Sequence, residues 1–264
     1  MSRALLLAPA LALFLLLALS CGGGSDPEAT LTLTADLSQL PPGTDEDEAL
    51  GDAADILRER AELYGIVDPQ IALGGNTISV TLKGVEEDAA LQLMTRSGSL
   101  EFKRPRVSTD GLVVCKTPQG EEFGVPPQNV NPDDVSGSLA RCFSLDKLGE
   151  PVWVDADVAS DDGSATRLTP EHVDPGSWQL QDNETALAVR FTPEGSDLLK
   201  LITGALAGYH LGIFVDGELV AAPRIQRAIT DGAPVISGFP QSEAPMLAAV
   251  LNTAPLPVPL TASP

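Results

Sequence analysis

The side chains able to do chemistry are few, and their spacing argues against catalysis. His172 lies in TPEHVDP between two prolines, and His210 opens the apolar run HLGIFVD. The two are not at ligand spacing with each other or with any cysteine, so both read as structural residues. The sequence holds no G-x-S-x-G elbow, H-E-x-x-H, C-x-x-C, Walker loop or strand-borne G-x-G-x-x-G. Asp155, Asp157, Asp161 and Asp162 precede Gly163 and invite a calcium reading, because hard cations gather several carboxylates from one loop. A calcium loop opening at Asp155 would put Ala159 and Ser160 where a ligand and a glycine are needed, so the acids read as a solvated loop. Arg96, Lys103, Arg104 and Arg106 form the densest basic group; they read as a solvated face, pairing with neighbouring acids or marking an interface. Among Trp153, Trp178, Phe191, Tyr209, Phe214 and Phe239, most are expected in the core and one or two along a groove. No catalytic residue, metal or cofactor is expected.

Charge narrows the partners. Lys and Arg total 16 against 37 Asp and Glu, a net −21, which excludes nucleic acid and opposes an anionic membrane surface. With 43% hydrophobic and 20% charged residues the chain builds a core, and its 264 residues suit one large domain or two small ones. Membrane contact must then come from a covalent anchor or an apolar segment. Met1–Arg3 carries one positive charge, Ala4–Leu19 is apolar apart from Pro9, and Cys21 follows Ser20, the pattern of a secretory signal. The segment resembles a bacterial lipoprotein signal, departing from it at Ala18, where leucine is usual. The resemblance implies removal of residues 1–20, acylation of Cys21 and a flexible tether over 21–30; the alternatives are an uncleaved anchor or a secreted protein with a free cysteine. Either way the chain leaves the cytoplasm. No apolar run after Leu19 approaches the roughly 17–25 residues of a membrane helix. Cys115 and Cys142 are left as an even pair in an oxidising compartment, where a disulfide is the default and two buried free thiols the alternative.

The elements that would position these residues fall into two α+β units. LTLTADL alternates and predicts a strand over Leu31–Leu37. Thr44 and the acids Asp45–Glu48 open a helix whose apolar positions are Leu50, Ala53, Ala54, Leu57, Ala61 and Tyr64, closed by Gly65. QIAL and TISVTL form a hairpin across Gly74-Gly75-Asn76, a second helix covers Glu86–Ser97, and LEFKRP is expected to close a β-α-β-β-α-β, ferredoxin-like unit. Residues 107–167 read as a loop-rich segment. The first pattern is then expected to recur: WQLQ and TALAVRF pair across Asp182-Asn183, and a helix begins after the cap Thr192 with Pro193 in its first turn. HLGIFVD and ELVAAP pair across Asp216-Gly217, read as a structural turn, and a last helix spans Gln241–Asn252 with a kink at Pro245.

Several stretches resemble the large extracytoplasmic domain of SecD, the accessory subunit of the bacterial Sec translocase. In the first unit these are ILRERAELYGIVDPQIALGGNTISVTLKGVEEDAALQLMTRSGSLEFKRP; in the second, VRFTPEGSDLLKLITG and LGIFVDGELVAAPRIQRAITDGAPVISGFPQSEAPMLAAVLNTAPLPVPL. The resemblance implies a ferredoxin-like base over about 31–104 and an α+β head over about 105–264 that can reorient against it. It further implies a non-enzymatic module contacting exported or unfolded polypeptide. The alternative is a scaffold docking onto an integral-membrane complex such as SecDF without binding substrate. Where the family continues from LPVPL into membrane helices, this sequence has Thr261–Pro264; Lys83-Gly84-Val85 replaces the family's PGV, and Thr253–Pro257 its GALP. The expected location is extracytoplasmic, with the chain held to a bacterial membrane by lipid.

Overall fold

Alternation in EATLTLTA builds β1 (Glu28–Ala35), which buries Ala29, Leu31, Leu33 and Ala35 on one face and turns threonines to the other. The strand begins and ends earlier than the Leu31–Leu37 expectation. Asp36 accepts a hydrogen bond from the Ser38 N–H and starts a 3-10 turn at Leu37–Gln39, which stops the pairing. The structure is a computed structural model describing residues 27–131, 141–159, 165–181, 185–237, 239 and 243–262. The signal segment with Cys21, the acids Asp161 and Asp162, and the Asp182-Asn183 turn lie outside the described residues. α1 (Glu46–Tyr64) is capped by Asp45, whose side chain accepts from the Glu48 N–H at 3.0 Å, with three acids in its first turn. β2 (Gln70–Gly74) and β3 (Thr77–Lys83) form the expected hairpin, and α2 (Glu87–Thr95) follows.

The closing strand of this unit is not LEFKRP. The base sheet is completed by the last strand of the described chain, Leu260–Ala262, which pairs antiparallel with β1 through Ala35↔Leu260 and Leu33↔Ala262. The β-α-β-β-α-β order is thus present, with its fourth strand supplied from the far end of the sequence and everything between inserted into the base. α1 and α2 cover one face of this sheet and share a core with Leu256, Val258 and Leu260.

LEFKRP is β4 (Leu100–Pro105), and it belongs to the head. The segment after it is a small sheet rather than an irregular loop, made of β5 (Val113–Lys116), β6 (Glu122–Val125), β7 (Val130–Asn131), β8 (Arg141–Phe143) and β9 (Leu148–Pro151), in the order β6-β5-β9-β8-β7. Cys115 in β5 and Cys142 in β8 are disulfide-bonded on either side of β9, and both are buried. β10 (Trp153–Asp155) lies beside β4, while β11 (Asp157–Ala159) and β12 (Ala165–Arg167) pair with each other. β13 (Gln179–Gln181) and β14 (Ala186–Ala188) form the expected hairpin. α3 (Pro193–Ala205) is capped by the Thr192 hydroxyl, which accepts from the Gly195 N–H at 3.0 Å. β15 (Gly212–Val215) and β16 (Glu218–Ala221) join β4 and β10 in the order β10-β4-β15-β16, and β17 (Val235–Ser237) extends β13-β14.

The head is therefore no repeat of the base: its strands divide between sheets, and its last helix serves both units. In α4 (Glu243–Leu251), Ala244, Leu247 and Ala248 enter the head core, whereas Met246, Ala249 and Val250 enter the base core. Pro245 lies in the first turn, where its missing N–H has no intrahelical partner to lose, so no kink is required. The closing strand of the base is β18 (Leu260–Ala262). Among the described residues no helix is long and apolar enough to cross a membrane.

Candidate functional site

Among the described residues, the side chains singled out for their chemistry have partners within the fold. Thr169 donates its backbone N–H to Nδ1 of His172 at 3.1 Å, closing a 3-10 turn at Pro170–His172. His210 is buried and forms an isolated bridge with Arg224. Asp155 pairs with Arg167 at 2.7 Å and Asp157 with Arg104 at 2.9 Å, so two of the four acids in the calcium reading face arginines. Each of the four clustered cations meets an acid: Arg96 with Glu218 at 3.8 Å, Lys103 with Glu101 at 2.8 Å, Arg104 with Asp157, and Arg106 with Glu122. Among the described residues no group of three His, Cys, Asp or Glu side chains is placed to hold a metal.

What the head does present is an apolar cavity of about 250 Å3 between β4, β15, α3 and β17. Its walls include Phe102, Phe191, Leu199, Ile213 and Ile236, and the segment 222–234 crosses over it. Phe102 and Phe191 lie 5.7 Å apart, ring centroid to ring centroid, and are the aromatics that line it; Trp153 instead packs edge-on to Phe214. Backbone bonds pin the crossing segment at both ends. Ile225 donates to the Tyr209 carbonyl at 2.8 Å, and the Gly232 carbonyl accepts from the Phe191 N–H at 2.8 Å. Midway, the Ile229 N–H donates to the buried Thr203 hydroxyl at 2.9 Å. Arg224, Gln226 and Arg227 stand exposed along the rim, and neither arginine meets a carboxylate among the described residues. In a chain of net charge −21 that makes the mouth locally cationic. A second hollow of about 480 Å3 lies between α3 and β11, but its charged lining, Arg104 and Asp157, is mutually neutralised.

The second feature is the junction of head and base, where sequence reasoning found the turn and missed its partner. Asp216 and Gly217 take φ 55° and 78°, the left-handed geometry expected of a two-residue Asp-Gly hairpin turn. The Asp216 carboxylate also reaches across to the connection that leaves the base. It accepts from the Ser97 hydroxyl, from the Ser99 N–H at 2.9 Å and from the Gly98 N–H at 3.4 Å. Beneath it lies Arg60, wholly buried, donating to the Arg96 carbonyl, to the Ser97 carbonyl at 3.0 Å and to the Thr253 hydroxyl at 3.0 Å. Burial pushes its guanidinium down to about 10, partly offset by the Asp216 carboxylate, so it is still charged at neutral pH. Gly98, at φ 85°, would be strained by any side chain, and a Cβ would press on Arg60 Nη2 at 3.0 Å and Val250 at 3.3 Å. The signal for Arg60 was its position, three after Leu57 and four before Tyr64 inside the apolar stripe of α1.

Comparison with known proteins places these features in context. Residues 163–258 match the model of the SecDF P1 head subdomain. The chain is 28% identical over 242 residues to protein translocase subunit SecDF of Thermus thermophilus, an alignment covering 90% of this chain and 30% of that protein. It is 30% identical over 224 residues to protein translocase subunit SecD of Desulfurispirillum indicum, covering 80% and 39%. With SecD of Elusimicrobium minutum the figures are 26% over 259 residues, covering 92% and 51%. The chain thus spans between 30% and 51% of the length of these relatives. A crystal structure of SecDF in a super-membrane-facing form matches with a TM-score of 0.53 at 25% identity, covering 90% of this chain and 30% of that one. The second half of the chain carries a SecD-like head domain.

Proposed function

We propose that this chain is a non-enzymatic binding module of protein export, held to the outer face of a bacterial membrane through acylated Cys21. Its head takes apolar stretches of exported or unfolded polypeptide into the cavity under residues 222–234. The observation that carries the reading is the pairing of an apolar, aromatic-walled cavity with two arginines at its mouth that meet no carboxylate among the described residues. An unfolded chain exposes the side chains such a cavity shelters, and a site built from packing rather than fixed hydrogen bonds tolerates many sequences. The arginines favour segments that carry acidic residues beside their apolar core. Elsewhere the acidic surface repels such segments. The relatives that are named as translocase subunits support a role in export.

The test is a titration of a fluorescent, acidic-flanked apolar peptide into the protein. Ile229→Asp places a charge in the cavity wall, and Leu201→Asp does so on the exposed face of α3. The first variant is expected to abolish binding and the second to leave it unchanged, with circular dichroism checking that the first is still folded at the assay temperature. Binding that survives Ile229→Asp sinks the cavity reading. A chain that binds no peptide but copurifies with a membrane complex supports the scaffold reading instead. Fatty-acid labelling followed by mass spectrometry of the mature amino terminus tests the anchor: an unprocessed or unlipidated chain removes it.

A further inference from the structure

We propose a second binding surface, on the base and independent of the head cavity: the open edge of β2, which accepts an extended, lysine- or arginine-bearing polypeptide strand. β2 ends the base sheet, and among the described residues nothing pairs with its outer side. Natural edge strands are blunted by charge, proline, bulges or extreme shortness. QIALG has no charge, no proline and five residues, and it pairs in unbroken register with β3 from Gln70↔Thr81 to Gly74↔Thr77. Gly74 and Thr77 flank a two-residue turn and so form its hydrogen-bonded pair. Alternation along an antiparallel ladder then turns the main-chain N–H and C=O of Ile71 and Leu73 toward the open side.

The surroundings match an incoming strand in both apolarity and charge. Leu63, in the last turn of α1, Val67, in the connection to β2, and Leu73, in β2 itself, are 49%, 84% and 53% exposed. Val67 is followed by Asp68, which sits next to Pro69 at φ 55°, one of two non-glycine residues with positive φ among those described. The other, Asp216, is accounted for by its hairpin. Glu59, Glu62 and Asp68 are exposed around these apolar side chains, and none is in an ion pair among the described residues. Arg58 is engaged by Asp55. Apolar side chains beside uncompensated acids select a cationic partner. They also disfavour a second copy of this chain, whose β2 would bring the same acids face to face.

The test uses the full chain and two labelled peptides of about ten residues that alternate valine and threonine, one flanked by lysines and the other by glutamates. In the Ile229→Asp chain, whose head cavity takes neither peptide, the lysine-flanked peptide is expected to bind about tenfold or more tightly than its counterpart, and to weaken as salt rises. On binding it should slow hydrogen exchange at the Ile71 and Leu73 amides, a readout that diffuse attraction to an acidic protein would not give. Leu73→Lys and Val67→Lys, both exposed positions, should each weaken binding about tenfold at unchanged melting temperature, whereas Ile229→Asp in the head should have no effect. The proposal is overturned by equal affinity for the two peptides, by absent protection at Ile71 and Leu73, or by insensitivity to both lysine variants. Sedimentation showing dimers that Leu73→Lys dissolves would likewise overturn it in favour of a second copy.

Discussion

Replacing Arg60 by methionine is expected to destabilise the protein by about 3 kcal/mol, although it removes a buried charge. Two effects oppose each other. Burial already draws the guanidinium down to about 10, so deleting it relieves a desolvation cost. Against this, the groups that Arg60 satisfies are partly buried and stay behind. The Arg96 carbonyl loses its donor, at about 1–3 kcal/mol for an orphaned acceptor. The Ser97 carbonyl keeps the Leu256 N–H at 2.8 Å, and the Thr253 hydroxyl still donates to the Val250 carbonyl at 2.9 Å. Each of these therefore loses only about 0.5–1.5 kcal/mol. Methionine fills the stem of the side chain and supplies no donor, so the acceptors decide the sign. At about 2–4 °C per kcal/mol for a chain of this size, the melting temperature should fall by about 6–12 °C. The fall should be constant between about pH 5 and pH 9, since Arg60 keeps its charge throughout that range. Calorimetry measures it, and hydrogen exchange at Gly98 and Ser99 reports whether the junction opens first. An unchanged or higher melting temperature would falsify the account, because it would mean that the cost of burying the cation outweighs the bonds it makes.

Reducing the Cys115–Cys142 bond, which closes a loop of 27 residues, should cost about 3 kcal/mol, with loss of exchange protection concentrated in β5, β8 and β9; paired calorimetry with and without reductant checks it. Gly217→Val forces a β-branched residue to φ 78° and should cost about 1–2 kcal/mol, read by chemical denaturation; since a Cβ there meets no atom within 4 Å, a cost well above that range would point to something other than backbone strain. Burial raises the pKa of Glu243, as does Glu218 nearby, while Arg96 opposes the shift. A carboxyl raised in the folded state stabilises the fold below its unfolded pKa, and that contribution is lost as pH rises through the folded pKa. Glu243→Gln should therefore melt above the wild type at neutral pH, with the advantage vanishing as the pH falls toward 4; a gap independent of pH would assign the effect to something other than ionisation.

The local architecture was legible where one element carries its own signals. α1 has its acidic cap and apolar stripe, the β2–β3 hairpin its Gly-Asn turn, and Asp216-Gly217 its positive φ. Strand partners were not legible, because pairing is decided by residues far apart in sequence. LEFKRP has a buried face that suits either sheet, and its neighbour proved to be β15, more than a hundred residues on. The strands between Val113 and Pro151 are two to four residues long, too short to show a period, so the segment looked like loop. α4 held a clue in EAPMLAAVL, apolar on every side. That is the composition of a helix lying between two cores rather than at a surface. Of the candidate site, the cavity could not be read at all, since its walls come from β4, β15, α3 and the segment after β16.

The way the head is inserted bears on how binding in its cavity, as proposed above, would be felt elsewhere. The chain crosses between base and head twice, at Arg96–Ser99 and at Thr253–Leu256, and the crossings lie side by side, with the Leu256 N–H donating to the Ser97 carbonyl. Arg60 bonds to both crossings at once, and Asp216 grips the first from the head side. α4 contributes to both cores through opposite faces, so the head cannot turn far without withdrawing Met246, Ala249 and Val250 from the base or Ala244, Leu247 and Ala248 from the head. Packed interfaces of this kind exchange between discrete arrangements and do not deform smoothly. A ligand in the cavity can shift such an equilibrium only by its difference in affinity for the two arrangements. Phe102 supplies the route for that difference. It lines the cavity, and it belongs to β4, the strand that begins directly after the Ser97–Ser99 connection held by Asp216. On the proposed reading, a polypeptide segment that presses on Phe102 would therefore act on the first crossing through a few residues of strand.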